Sequence, residues 1–242
     1  MHRHRGVTGL AAQLSLHLLG PFRARRGEHP VTLPRSAARV LAFLAIHSAA
    51  SRQQVSGALW PDVPQSRASS DLRTALWRLH RAADEFVLVG GETLAISELV
   101  AVDVQQVTDW ATQTVASAGD RPPPPRGSGR ELLPGWDEEW LEDARERIRL
   151  LTVQAFESVA ERLLTAGRPA EALPYLLQVT EIDPLRESAQ QLMVELHLRQ
   201  RNVHEALRQY RRYERLVRRD LGIEPGVGLR SLLSRYAPNL VD

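Results

Sequence analysis

One predicted helix carries side chains whose types and spacing suit contact with a polyanion. Ser66–Ala83 has helical periodicity, and advancing about 100° per residue from Leu72 places five further apolar residues on the same side as Leu72: Ala68, Ala75, Leu76, Leu79 and Ala83. The opposite side carries arginines, hydroxyls and an indole without a central acid: Arg67, Ser70, Thr74, Trp77, Arg78 and Arg81, flanked by Arg73 and His80. Guanidinium groups suit guanine edges and phosphates, and a helix fits the DNA major groove.

An ordinary amphipathic helix with a solvent-facing basic side is the alternative, since helices with arginine outside are common. Trp77 argues against that alternative, because a large indole is unusual on a face that meets only water. Packing of Trp77 against a neighbouring hairpin would also explain the indole, so both interpretations stay open.

Charge is segregated along the chain. Residues 1–82 contain 12 arginines against Glu28, Asp62 and Asp71 and carry +9, whereas the remainder carries −7. All 31 basic residues are arginine, which a GC-rich genome explains, so the placement of arginine is more informative than its use. A basic part joined to an acidic part indicates that the first part meets a polyanion, with chance scatter as the alternative.

The elements around the basic helix follow the order of a winged helix: small sheet, three helices, hairpin. Ser51 is predicted to be the N-cap of the second helix. The predicted segments are strands at Leu14–Leu18, Phe22–Ala24 and Val31–Leu33 around an Arg25–Glu28 turn, helices Ser36–Ser48, Arg52–Leu59 and Ser66–Ala83, and a hairpin centred on Gly90-Gly91.

The second half of the chain is predicted to be all helical. A helix over Asp103–Ser117 precedes an exposed proline-rich loop at 119–130, and Glu139–Leu164 is a long periodic helix that Asp137-Glu138-Glu139 would cap. Ala170-Glu-Ala-Leu173 recurs as His204-Glu-Ala-Leu207 after 34 residues, which is the tetratricopeptide period.

The sequence lacks the residues that several classes of protein need for their function. The absence of cysteine excludes disulfides and thiol chemistry, and the absence of lysine excludes a Walker motif. No nucleophile elbow is found, and a basic tail explains His2 and His4 better than a metal site does. We therefore expect no catalytic residues, no metal, no cofactor and no enzymatic activity. No apolar run is long enough for a membrane span and the N-terminus lacks a signal-peptide core, which predicts a cytoplasmic protein.

Ordered blocks of residues resemble a known family over about residues 14–235. Arg35–Ala50, Ala58–Asp62 and Asp71–Arg81 are similar to the OmpR/PhoB-type winged helix-turn-helix, in the version found in the Streptomyces antibiotic regulatory protein family. The second half resembles that family's bacterial transcriptional activation domain, through blocks at Leu133–Arg147, Gly167–Leu173, Asp183–Glu187, Glu205–Tyr210 and Leu221–Pro225. His80 stands where family members commonly have arginine, and the proline-rich 121–125 insert is unusual.

The resemblance implies a transcriptional activator that binds directly repeated promoter sites on double-stranded DNA as a homodimer or oligomer. It implies recruitment of the RNA polymerase holoenzyme, often at secondary-metabolite genes. Carried over by position, it assigns DNA contacts to Arg67, Ser70, Arg73, Thr74, Trp77, Arg78 and Arg81. It assigns polymerase contact to the Trp60–Gln65 loop, namely Trp60, Asp62, Val63 and Gln65.

The predicted organisation is mainly α. A disordered basic tail at 1–13 precedes a winged helix-turn-helix at 14–101 and an all-α, tetratricopeptide-like activation domain at 102–242. The competing function is a protein-interaction scaffold, in which the helical half binds a partner and the first half is a basic adaptor.

Overall fold

The computed structural model describes residues 14–117, 119 and 122–234. The predicted basic tail at 1–13, and positions 120 and 121 of the predicted loop, lie outside the described residues. The chain divides into two compact units. The first holds the residues up to Asp109 together with Pro124–Ile148, and the second holds Trp110–Pro123 and the residues from Arg149 onward. The domain boundary at 101 stays a prediction.

The first unit contains the predicted sheet, three helices and hairpin, with two additional short strands. In chain order its elements are β1 (Leu14–His17), β2 (Arg23–Arg26), β3 (His29–Val31), α1 (Arg35–His47), β4 (Ala49–Ser51), α2 (Arg52–Leu59), α3 (Gln65–Ala83), β5 (Val87–Gly90), β6 (Thr93–Ile96), β7 (Val100–Val102) and the start of α4 (Asp103–Ala116). Glu142 begins α5 (Glu142–Thr165) at the end of this unit.

Two small sheets frame the three helices. The first has the order β3-β2-β1-β7, in which β7 runs parallel to β1 and the other pairs are antiparallel. The second has the order β4-β6-β5 and is antiparallel throughout, so the hairpin is part of a three-stranded wing. Arg25 and Arg26 lie in β2 rather than in the predicted turn, which Gly27 and Glu28 form instead. Gly27 has a φ of 58°, which glycine adopts without steric cost.

Local sequence explains where the first helices begin and which side they bury. Ser51 caps α2 as predicted: its Oγ accepts from the Gln54 N–H at 3.1 Å, while Gln54 Oε1 accepts from the Ser51 N–H at 2.8 Å. The predicted apolar stripe of α3 is confirmed, with only Leu76 half-buried among its members. The buried members are Ala68, Leu72, Ala75, Leu79 and Ala83.

Residues 124–148 complete the first core. Leu132, Leu133 and Leu141 are fully buried there, and the ring of Trp136 stacks on Phe22 with centroids 5.7 Å apart. A 3-10 turn at Glu139–Leu141 precedes α5, so the predicted long helix begins three residues late. Glu138 makes no capping hydrogen bond, and its carboxylate pairs with Arg35 and Arg39 of α1 instead.

The second unit consists of packed helices. They are the end of α4, α5 from Arg149 onward, α6 (Pro169–Ile182), α7 (Glu187–Arg199), α8 (Val203–Leu221) and α9 (Val227–Ser234). The repeated blocks open α6 and α8, with Arg168 and Asn202 at the two N-cap positions. Ala172 and Ala206 are both fully buried, as close helix packing requires. The predicted fold class, a small sheet with helices and a hairpin followed by a helical domain, is confirmed.

Candidate nucleic-acid interface

The outward face of α3 is open to solvent. The face carries all seven residues to which the resemblance assigns DNA contact, and each is exposed: Arg67, Ser70, Arg73, Thr74, Trp77, Arg78 and Arg81. Trp77 is 57% exposed, and the guanidinium carbon of Arg81 lies 5.0 Å from the centre of its ring. The indole therefore forms a flat apolar platform beside a cation rather than a buried packing element.

The polar groups of this face are held loosely. Arg78 Nη1 donates to Ser36 Oγ of α1 at 3.3 Å, and Arg67 Nε lies 3.9 Å from Asp71 Oδ2. Thr74 Oγ1 donates to the Ser70 carbonyl oxygen at 3.1 Å, which leaves the hydroxyl lone pairs free to accept. Weak exposed contacts of this kind cost little to exchange for a ligand.

A shallow groove beside α3 brings in residues that the sequence did not single out. Arg52 and Gln53 at the start of α2 line it together with Ser69 and Arg73 of α3 and Glu92 of the wing. Arg52 Nε donates to the Gly91 carbonyl oxygen at 3.0 Å, which ties α2 to the wing. The signal available in the sequence was Arg52 at the first position after the Ser51 cap. The first turn of a helix and two guanidinium groups together suit a phosphate.

The wing ends in apolar side chains. Leu88 and Val89 on β5 are 55% and 58% exposed, next to the turn at Gly91 and Glu92. Large apolar side chains are unfavourable in water, so their exposure near a hairpin tip suits contact with another surface.

The four residues assigned to polymerase contact differ in accessibility. Trp60 is half-buried, packs against the first core and lies 5.6 Å from the Arg39 guanidinium carbon. Gln65 is the first residue of α3, and its Nε2 donates to Ser56 Oγ at 3.0 Å. Val63 is half-buried, whereas Asp62 and Gln65 are exposed. Because the Gln65 amide is bonded to Ser56, Asp62 is the more available of the two exposed side chains.

The described part of the chain has neither a metal-binding cluster nor a membrane-spanning helix. Within residues 14–117, 119 and 122–234, no group of three or more histidine and acidic side chains is placed to hold a metal ion. None of the helices described there is both long enough and apolar enough to cross a membrane.

Comparison with known proteins finds a transcriptional activator domain in this chain and relatives among bacterial regulatory proteins. Residues 128–235 match the family model of the bacterial transcriptional activator domain. The chain is 32% identical over 238 residues to the regulatory protein AfsR of Streptomyces coelicolor, a match that covers 92% of this chain and 24% of AfsR. AfsR of Streptomyces griseus is 29% identical over 249 residues, covering 96% of this chain and 25% of that protein. The chain thus spans about a quarter of the length of these curated relatives.

A solved structure has the same fold. Mycobacterium tuberculosis EmbR, in complex with a low-affinity phosphopeptide, matches with a TM-score of 0.69 at 21% identity, covering 92% of this chain and 64% of that one. The chain therefore has a bacterial transcriptional activator domain at 128–235 and is homologous to AfsR over nearly its whole length, which confirms the predicted resemblance to the Streptomyces antibiotic regulatory protein family.

Proposed function

We propose that this protein is a sequence-specific DNA-binding activator of transcription that acts in the cytoplasm, without enzymatic activity. The exposed face of α3 carries the proposal. It presents four guanidinium groups, two hydroxyls and an indole on one side of a helix whose other side is buried in the core. A helix of this kind fits the major groove, where arginine reads guanine and hydroxyls contact bases or phosphates.

The surroundings of α3 support DNA as the ligand. Arg52 and Arg73 border a groove beside the helix, where a phosphate of the same duplex would lie. The wing tip at Leu88 and Val89 would contact the adjacent sugar-phosphate backbone or the minor groove of the DNA. Recognition-helix docking with flanking phosphate contacts is the usual arrangement of helix-turn-helix proteins.

The proposal extends to the partners that the family resemblance implies. We expect a homodimer or oligomer on directly repeated promoter sites, and recruitment of RNA polymerase through the Trp60–Gln65 loop. The regulated genes would be those of secondary-metabolite biosynthesis. Residues 14–101 would supply DNA contacts, and residues 102–242 would stabilise the pairing of copies on DNA.

A gel mobility-shift titration with the full chain tests DNA binding. Reversing two charges on the α3 face, Arg73→Glu with Arg78→Glu, should abolish the shift on promoter fragments. Arg126→Glu is the control, because Arg126 is exposed in the 124–131 segment of the same unit, away from α3 in sequence. Equal losses in the two proteins would overturn the proposal. A genome-wide map of bound sites would then define the operator.

In vitro transcription with the polymerase holoenzyme tests recruitment separately. Asp62→Ala should retain operator binding but lower activated transcription, whereas Asp137→Ala, also exposed in the first unit, should change neither. Loss of operator binding in Asp62→Ala would place the loop in DNA contact instead.

The competing function remains a protein-interaction scaffold with a basic adaptor. Mobility shift separates the two, because a scaffold would not shift duplex DNA. Failure to bind either promoter fragments or random duplex at low salt would favour the scaffold.

A further inference from the structure

A groove in the second unit has two different walls. Leu173, Leu177 and Thr180 of α6 form one side, and Gln190, Met193 and His197 of α7 line its floor. Leu177 is 53% exposed, so the groove presents an apolar side chain to water. Gln209 Nε2 of α8 donates to Gln190 Oε1 at 2.6 Å, which fixes the floor against the opposite wall.

The opposite wall is a stripe of arginines on α8. Arg208, Arg212, Arg215 and Arg219 all line the groove and are all exposed. Their spacing of four, three and four residues puts them on one side of the helix, over a length of roughly 16 Å. The other side of α8 is buried through Ala206, Tyr210, Tyr213 and Val217. The arginines are therefore held in a row on a helix whose orientation is fixed by packing.

In the part of the chain that the structure describes, two of the four arginines in this row have carboxylate partners and two do not. Glu205 is the only acidic residue among those lining the groove in the described second unit, and its Oε1 lies 3.4 Å from Arg208 Nη1. Arg219 pairs with Asp220. Within the described residues, Arg212 and Arg215 have no ion-pair partner. Burial lowers the pKa of His197, so the imidazole adds no charge near neutral pH.

The two walls together define the chemistry of the occupant. A row of guanidinium groups attracts carboxylates, and an exposed leucine wall favours apolar side chains on the adjoining face. Nucleic acid would satisfy the arginines but leave the α6 wall unused. We propose that the α6–α8 groove binds an acidic polypeptide segment of a partner protein, with carboxylates along α8 and large apolar side chains against Leu173 and Leu177.

Binding of a defined peptide to the full-length protein tests this proposal. The probe is a fluorescent synthetic helical peptide in which glutamates repeat the four-three-four spacing and each is followed by leucine. Fluorescence anisotropy should show saturable binding that weakens as salt is raised. Two further peptides separate the walls, one with glutamine for every glutamate and one with serine for every leucine, and both should bind more weakly.

Matched variants locate the binding site. Arg212→Glu with Arg215→Glu should weaken peptide binding by about tenfold or more, because rim charges of one sign steer the association. Arg211→Glu with Arg201→Glu makes the same charge change at exposed arginines outside the groove lining and should leave affinity within about twofold. Leu177→Ser should weaken binding, whereas Leu221→Ser, also exposed but outside the lining, should not.

Two results would overturn the proposal. One is equal weakening by the groove and control variants, which would mean unspecific attraction between opposite charges. The other is undiminished binding of the leucine-free peptide, which would mean that the α6 wall takes no part. A DNA titration of the same variants identifies the alternative: reduced operator binding only in the groove variant would assign the arginine row to nucleic acid. The DNA interface of α3 is tested by different residues, so either proposal can fail alone.

Discussion

The guanidinium of Arg39 and the carboxylate of Glu138 lie 2.7 Å apart, Nη2 to Oε2, although 99 residues separate them in the chain. Both side chains are largely shielded from solvent, with 19% and 10% exposed. Glu138 also pairs with Arg35 and accepts from Trp140 Nε1 at 3.0 Å. Arg39 in turn donates to the Leu59 carbonyl oxygen and lies beside the Trp60 ring. This network joins α1 to the 132–141 segment and to the end of α2.

Removing the carboxylate should destabilise the first unit strongly. Glu138→Ala leaves the Arg39 guanidinium partly buried without its counter-ion, which typically costs about 3 kcal/mol. Glu139→Ala, at the exposed neighbouring position, should cost well under about 1 kcal/mol. Chemical denaturation of both variants measures the difference in the free energy of unfolding. Equal free energies of unfolding in the two variants would mean that the ion pair between Arg39 and Glu138 does not stabilise the folded protein.

Residues 124–148 should stabilise the DNA-binding part of the chain. A fragment of residues 1–101 lacks Leu132, Leu133 and Leu141, each of which is buried in the first core and worth about 2 kcal/mol. It also ends within β7, the parallel partner of β1. We therefore expect a fragment of residues 1–148 to melt at a clearly higher temperature than residues 1–101. Identical melting of the two fragments by circular dichroism would support the boundary at 101.

Local signals in the sequence were sufficient for the helices near α3. Ser51 and Gln54 form a capping box within four residues, and the buried stripe of α3 follows directly from helical periodicity. β4 and β7 were missed because each has three residues and no alternating pattern. Their existence depends on pairing with β6 and β1, which are distant in sequence.

The same reasoning explains what was missed in the candidate site. The outward residues of α3 share one helix, so the sequence alone groups them. Arg52 joins Arg73 only because α2 and α3 pack beside the wing. Glu138 was interpreted as a capping residue because its position before a helix is visible in the sequence, whereas its partners on α1 are not.

Asp103 should make stability depend on pH. Its carboxylate accepts from the backbone N–H groups of Leu18, Leu19 and Val104 at 2.9, 3.1 and 2.7 Å. Burial raises the pKa of Asp103, and these donors and His17 oppose the shift only in part. Because a raised pKa in the folded state means that protonation favours folding, the contribution of Asp103 is present below its usual pKa and is lost as pH rises through the raised value.

The comparison variant is Asp103→Asn, whose amide group must face one of the backbone donors. This mismatch should cost about 1–3 kcal/mol. The stability advantage of the natural protein over the variant should be larger at mildly acidic pH than at neutral pH. His17 Nδ1 lies 3.8 Å from the Asp103 carboxylate and acts on the pKa of Asp103 through its charge, so the natural protein and the variant should also be compared in a His17→Gln background. An advantage that shrinks on acidification would contradict the raised pKa.

The arginines of α3 should divide into base readers and phosphate contacts. Arg78 lies in the middle of the outward face beside Trp77 and Thr74, where the DNA major groove would be deepest, whereas Arg81 lies near the helix end with its guanidinium over the Trp77 ring. Arg78→Ala should cost about 1–3 kcal/mol on the operator and relax preference at one base pair. Arg81→Ala should weaken operator and random duplex about equally and lower the salt slope by about one unit. Titrations against the operator, its single-base variants and random duplex at several salt concentrations measure both effects, with Arg126→Ala as the control.

If Arg78→Ala lowers affinity for all duplexes by one common factor, Arg78 contacts phosphate rather than a base. If neither substitution changes binding, α3 does not face DNA, and the scaffold function becomes the better account of the basic face.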